Sequence, residues 1–152
     1  MSWVTCVAEC VGLDLFKRYS RTVARMADYV LDSYAVLALL GDEPGSQQVA
    51  EMLEDKQNCF SLSVVNLGEI YYIVARSHGE PAALEVVSDI RGQENVTIVD
   101  ATWERVYRAA QFKVHGGLSY ADAFACGLAV ERGAPVISGD PEFRNIKGIE
   151  VI

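Results

Sequence analysis

Apolar residues along this chain fall into short runs and helical stripes that alternate with polar turns. Tyr29-Val-Leu-Asp32 predicts a short buried strand, and Ser33 to Leu40 the helix it feeds. Gly41-Asp-Glu-Pro-Gly45 predicts a loop, with Pro44 near the start of a second helix that runs to about Lys56. Cys59-Phe-Ser-Leu is a second strand. Ser63 is placed to cap a helix from Val64 to about Ser77, ended by His78-Gly79. A helix after Pro81 reaches Arg91 and stops at Gly92, and Val96-Thr-Ile-Val is a third strand. Thr102 heads a helix to about Val114, broken by His115-Gly-Gly117. Ser119 caps the next, Gly133 ends it, Pro135 to Ser138 is a fourth strand, and Gly148 to Ile152 a candidate fifth. Short apolar strands alternating with helices predict an α/β domain with a mostly parallel sheet. Such sheets bind ligands outside the carboxyl ends of their strands, where Asp32 and Asp140 fall.

Residues 1–25 lack this pattern. Met26 opens a stretch that would itself make a conventional protein start, so residues 1–25 are expected to be an appendage, poorly ordered or not native, ahead of one domain at 26–152. The 152-residue chain is long enough to bury a proper core. No run approaches the ~18 apolar residues of a membrane span. Lys17, Arg18, Arg21 and Arg25 follow the apolar part of the amino end, the reverse of a signal peptide. A cytoplasmic protein without a membrane is the expectation. Cys59 and Cys126 fall in apolar elements and are expected as small core residues, Cys6 and Cys10 are four apart and would share a helix face, and zinc-ligand spacing is missing.

Charge is uneven. Residues 1–25 carry four Lys or Arg against two Asp or Glu; residues 26–152 carry nine against nineteen, a net of −10. That is a poor footprint for a general nucleic-acid binder, and points to a local basic groove, a charged partner protein, or no nucleic acid.

Four carboxylates stand alone in apolar sequence. Asp32 is the only charge from Tyr29 to Gly41, Glu69 the only one from Asn58 to Ala75, Asp122 from Leu118 to Val130, and Asp140 from Gly133 to Pro141. A solitary carboxylate among apolar neighbours is costly unless something offsets its charge. Glu69 stacks with Val65 and Ile73 along a stripe that also takes in Ile70 and Val74, where desolvation would raise its pKa unless a cation is near. Mg²⁺ or Mn²⁺ would be that cation, since these hard ions take carboxylate oxygen and keep positions for substrate phosphate. Such ions activate water and stabilise a leaving oxygen, so no nucleophilic side chain is needed. Each acid also has a structural alternative. Ser119-Tyr-Ala-Asp122 is a capping box, Asp140-Pro141 opens a turn, Asp32-Ser33 starts a helix, and Glu69 can pair with Arg76, Arg105 or Arg108. A shared metal site predicts that all four carboxyl groups converge, within reach of metal–oxygen bonds of about 2.0–2.6 Å.

The pieces YVLDSYAVLALL, SLSVVNLGEIYYIVAR and LSYADAFACGLAVERGAPVISGDPEF, in that order, resemble PIN-domain nucleases, especially the VapC-like ribonuclease toxins of type II toxin–antitoxin pairs. The resemblance covers about residues 28–152 and implies a PIN-like three-layer fold with a sheet of about four to five strands flanked by helices. It implies that Asp32, Glu69, Asp122 and Asp140 are the catalytic, metal-binding acids of a Mg²⁺-dependent endoribonuclease, with Ser138 in support and Asn66 and Ser33 as weaker supporting candidates. It further implies a homodimer and a cognate antitoxin that plugs the acidic site. Arg76, Arg105, Arg108, Lys113, Arg144 and Lys147 are candidates for contacts to RNA phosphates. Two other functions compete: a catalytically silent PIN-like module that only binds protein or RNA, and a PIN nuclease of RNA maturation. Gly-rich phosphate loops, HExxH and a nucleophile elbow are not found in the sequence.

Overall fold

The computed structural model describes residues 27–115 and 117–152, so the expected appendage at 1–25, with Cys6 and Cys10, lies outside the described residues. Four parallel strands, β1 (Ala27–Leu31), β2 (Asn58–Ser63), β3 (Val96–Val99) and β4 (Val136–Ile137), form one sheet in the order β3-β2-β1-β4. Between β1 and β2 run α1 (Ser33–Leu40) and α2 (Ser46–Glu54). Between β2 and β3 run α3 (Val64–His78) and α4 (Glu80–Gly92), and between β3 and β4, α5 (Trp103–His115) and α6 (Tyr120–Arg132). Parallel neighbours need such crossovers, because the chain must return to the starting edge before each new strand.

The alternation of side chains along a strand separates the layers. Leu31 and Ile137 pack in one core with Leu62, Phe60 and residues of α1 to α4, while Val30 and Val136 pack in another with Leu128, Ala129 and Phe143. The sheet is therefore covered on both faces, as its apolar strands require.

Register then lines up the strand ends. Leu31 is paired with Leu62 and with Ile137, so the residues that follow, Asp32, Ser63 and Ser138, leave the sheet at one edge. The Asp32 N–H donates to the Ile137 carbonyl at 3.2 Å, which fixes Asp32 beside Ser138.

Two expectations need correction. Gly148–Ile152 is not a full fifth strand: it runs beside β4 and forms only the bridge Val136↔Val151, because β4 itself offers just two residues of ladder. The buried stripe of α3 is also displaced. It runs through Asn66, Leu67, Ile70 and Val74, with a polar residue fully buried in it, while Val65, Glu69 and Ile73 lie half-buried along its margin. Glu69 is thus at the border of the core and not set into it.

Candidate active site

The site starts from the carboxyl end of β1, which the apolar strand drives into the core and which delivers Asp32 to the head of α1. Asp32 is fully buried. Its Oδ1 accepts from Asn66 Nδ2 at 3.1 Å and its Oδ2 from Ser138 Oγ at 2.9 Å. Asn66 comes from the first turn of α3, and its Nδ2 also donates to Ser33 Oγ at 3.0 Å. Ser33 Oγ in turn donates to the Asn66 carbonyl at 3.3 Å. Both Ser33 and Asn66, the weaker supporting candidates, are therefore part of the buried network around Asp32.

Asp122 is the second acid of the centre. It is 6% exposed on α6, and its charge raises the pKa of Asp32. Burial is the larger cause, and together they push the Asp32 carboxyl up from 3.8 to about 7. The Ser138 hydroxyl and the backbone of Ser33 and Tyr34 pull the other way, because each offers a donor to the ionised form. Cys126, one turn beyond Asp122, feels the same surroundings. Burial first, then Asp122 and Asp32, push its thiol to about 12, so it stays protonated and is no nucleophile.

The capping and turn alternatives hold as well, without displacing the pairing. Ser119 N–H donates to Asp122 Oδ2 at 3.0 Å, and Asp122 N–H donates to Ser119 Oγ at 3.1 Å, which completes the capping box. That box engages one carboxylate oxygen. Asp140 is half-buried and its Oδ1 accepts from Glu142 N–H at 2.8 Å, capping the short 3₁₀ turn Pro141–Asn145. Its backbone N–H donates to Ser138 Oγ at 3.1 Å. Ser138 therefore joins the two acids, donating to Asp32 and accepting from Asp140.

The fourfold convergence expected from sequence is not present. Among the described residues no three or more His, Cys, Asp or Glu side chains stand close enough together to hold a metal ion. Carboxylates brought to one centre without a cation repel each other, and the Asp32–Asp122 pair already carries that cost. Glu69 is one turn from Asn66 on α3, at the spacing that shares a helix face, and is joined to the centre only through that helix.

The basic candidates divide. Arg105 and Arg108 do not pair with Glu69: both bridge Glu131, at 2.8 and 3.2 Å, where the end of α6 meets α5. Lys113 donates to the Leu118 carbonyl just ahead of α6. Arg76, Arg144 and Lys147 are exposed. These two bridges are the ion pairs seen among the described residues, so Asp32 and Asp122 have no cationic side chain beside them.

A divalent cation fits this donor set. The pair supplies hard oxygen, the hydrogen bonds to Asp32 come from neutral groups, and the buried Asn66 Oδ1 has no hydrogen-bond donor. Asn66, Cys126 and Tyr34, whose ring lies against Gly139, are more closely tied to the centre than their sequence context suggests.

The described residues contain no helix long and apolar enough to cross a membrane. The PIN domain family model matches residues 29–149. The chain is 27% identical over 123 residues to the protein named VapC ribonuclease Mb0640 of Mycobacterium bovis, covering 76% of this chain and 92% of that one. Its fold is similar to that of Mycobacterium tuberculosis VapC20, described as a sarcin–ricin loop cleaving toxin, with a TM-score of 0.63 and 21% identity over 76% of this chain and 92% of that one. It is also similar to a chain of DNA-bound VapBC from Salmonella typhimurium, with a TM-score of 0.65 and 18% identity over 84% and 98% of the two chains.

Proposed function

The chain belongs to the PIN-domain family, and from that membership we propose that it is a Mg²⁺-dependent endoribonuclease, the toxin of a type II toxin–antitoxin pair. The observation that carries this is the buried Asp32–Asp122 pair at the carboxyl edge of the sheet, held by neutral donors with no cationic side chain beside it among the described residues. Two carboxylates kept together at such cost are relieved either by a proton on Asp32 or by a cation from solution, and the cation leaves both ionised. The relatives named as ribonucleases and the sarcin–ricin loop cleaving toxin of like fold support RNA as substrate, and structures of like fold described as toxin–antitoxin complexes or systems support an antitoxin as partner.

Asp32 and Asp122 would hold the ion, while Asp140 is linked to them through Ser138 and Glu69 only through α3. Mn²⁺ is an alternative to Mg²⁺ by its oxygen preference. The bound ion supplies an activated water and charge stabilisation at the phosphate. Ser138 and Asn66 orient the Asp32 carboxylate. Arg144 and Lys147, in the segment after Asp140, and Arg76 are the exposed cations available to RNA phosphates. Arg105, Arg108 and Lys113 contribute less, being engaged with Glu131 and Leu118. The protein acts in the cytoplasm as a homodimer.

Incubation with structured RNA and Mg²⁺ tests this directly. Cleavage is expected for the wild type, loss of cleavage in EDTA, and a drop of about 100-fold or more for Asp32→Asn and Asp122→Asn. Cleavage that is equal in the variants, or absent in the wild type, sinks the assignment.

A further inference from the structure

Tyr34 stands two residues beyond Asp32, in the first turn of α1, and its backbone helps to lower the Asp32 pKa. Its ring lies against Gly139, between Ser138 and Asp140 in the chain. A Cβ built on Gly139 would stand 2.7 Å from Tyr34 Cε1 and 3.2 Å from Cδ1, so the ring fills the space any other residue there would need. Gly139 separates Ser138, which bonds to Asp32, from Asp140. The ring is thus seated on the short segment that joins these two acids, yet it stays 40% exposed.

Three other exposed aromatic residues lie against a neighbouring ring, and Tyr72, on α3, is exposed as well. Trp103 and Tyr107 on α5 lie against each other with centroids 6.2 Å apart, and Tyr120 sets its ring edge-on to Phe124 at 5.2 Å. Tyr34 has a place beside the reacting centre, a seat that restricts its ring, and open surface. A fixed, half-exposed ring loses little freedom when it stacks on a flat ligand. Nucleobases of single-stranded RNA are such ligands, and an aromatic platform holds them without demanding one sequence. The exposed Arg144 and Lys147 follow the same segment and offer charge to the adjoining phosphates.

We propose that Tyr34 is the stacking platform for a base next to the scissile phosphate, positioning single-stranded RNA across Asp32 and Asp122. This rests on the ribonuclease function proposed above. The apolar groove that Tyr34 also borders, with Ala38, Val49 and Met52, makes a protein segment the rival occupant.

The test compares wild type with Tyr34→Phe, Tyr34→Trp and Tyr34→Leu, the last keeping bulk without a flat π face. Binding of a labelled single-stranded RNA dodecamer is measured by anisotropy with Mg²⁺ in an Asp122→Asn background. Cleavage kinetics are measured without that background change, and thermal melting checks the fold. The Leu variant should bind roughly 5–100-fold more weakly and show the loss chiefly in KM, while Phe and Trp stay near wild type. Equal binding by all four overturns the platform and leaves the ring as a wall of the apolar groove. Wild type that binds RNA through Tyr34 but cuts none keeps the platform and removes the ribonuclease function. Absence of RNA binding in every form overturns both.

Discussion

Asp32 is an acid whose own ionisation the fold opposes, and this makes a prediction about stability. Its folded pKa of about 7 lies above the ordinary 3.8, so the native state favours the protonated carboxyl. That contribution is full below about pH 4 and is lost as the pH rises through 7. In EDTA, wild type and Asp32→Asn should melt alike near pH 4, and at pH 8 the Asn variant should be more stable by about 2–4 kcal/mol. Adding Mg²⁺ at pH 8 should raise the wild-type melting temperature and leave the variant behind. Melting curves that keep a constant gap from pH 4 to 8 would show that the acid is not strained. Ser138 carries the next prediction, because one hydroxyl serves both Asp32 and Asp140. Ser138→Ala should cut RNA cleavage about 10–100-fold, as loss of a group that orients a ligand does, while Ser138→Thr, which keeps the hydroxyl, recovers most of it. At this scale the solitude of a charge in apolar sequence marked Asp32 and Asp122 as acids with apolar surroundings, and both are buried. It could not reveal Asn66 or Tyr34, since an amide and a phenol carry no charge to stand out. For Glu69 it overstated the burial, because neighbours in sequence need not be neighbours on the inward face.

The capping box of α6 ties an element to the chemistry it carries. Ser119 and Asp122 exchange two hydrogen bonds at the start of the helix: the Ser119 backbone N–H holds the carboxylate of Asp122, and the Ser119 hydroxyl holds the Asp122 N–H. Ser119→Ala removes the bond from the Asp122 N–H to the hydroxyl and loosens the first turn that presents the acid, while the backbone N–H of residue 119 still donates to the carboxylate. The expected loss is about 1 kcal/mol, a fall in melting temperature of roughly 2–4 °C, with a larger proportional fall in cleavage. If activity falls no further than the stability change explains, the cap serves folding alone. Ser119→Asp, which keeps an N-cap acceptor, should restore the melting temperature but not the activity, because it adds a third negative charge near the pair. Elements of this kind were legible in sequence wherever a local rule governs them. The Ser63 and Ser119 caps, the left-handed Gly133 at the end of α6 and the limits of β3 are all local matters. The Gly148–Ile152 segment was less legible, since pairing depends on how much of β4 is free to receive it. The stripe of α3 was misread by about one residue because a buried Asn66 interrupts the apolar pattern, and its bonds to Asp32 and Ser33, far off in sequence, account for it.

Across the whole molecule, charge decides what approaches the site and how fast. Residues 26–152 carry a net charge of −10, while the acids at the centre are among those that create it. A polyanion such as RNA meets a repulsive body, and the exposed Arg144 and Lys147 are the local exception beside Asp140. A cationic segment of a partner protein meets the opposite field, attractive at long range and strongest where the low-dielectric core lies beneath. The two ligands should therefore respond in opposite directions to one change. In Arg144→Glu with Lys147→Glu, a short Arg-rich peptide should associate faster in stopped flow, and a single-stranded RNA more slowly. Raising the salt from about 50 to 500 mM should slow the peptide roughly tenfold or more, because the Debye length shrinks to a few ångströms. The same salt should bring the peptide rates of wild type and variant together. A peptide rate that ignores both salt and charge reversal would mean that the acidic surface does not steer partners, and that recognition rests on the apolar groove beside Tyr34.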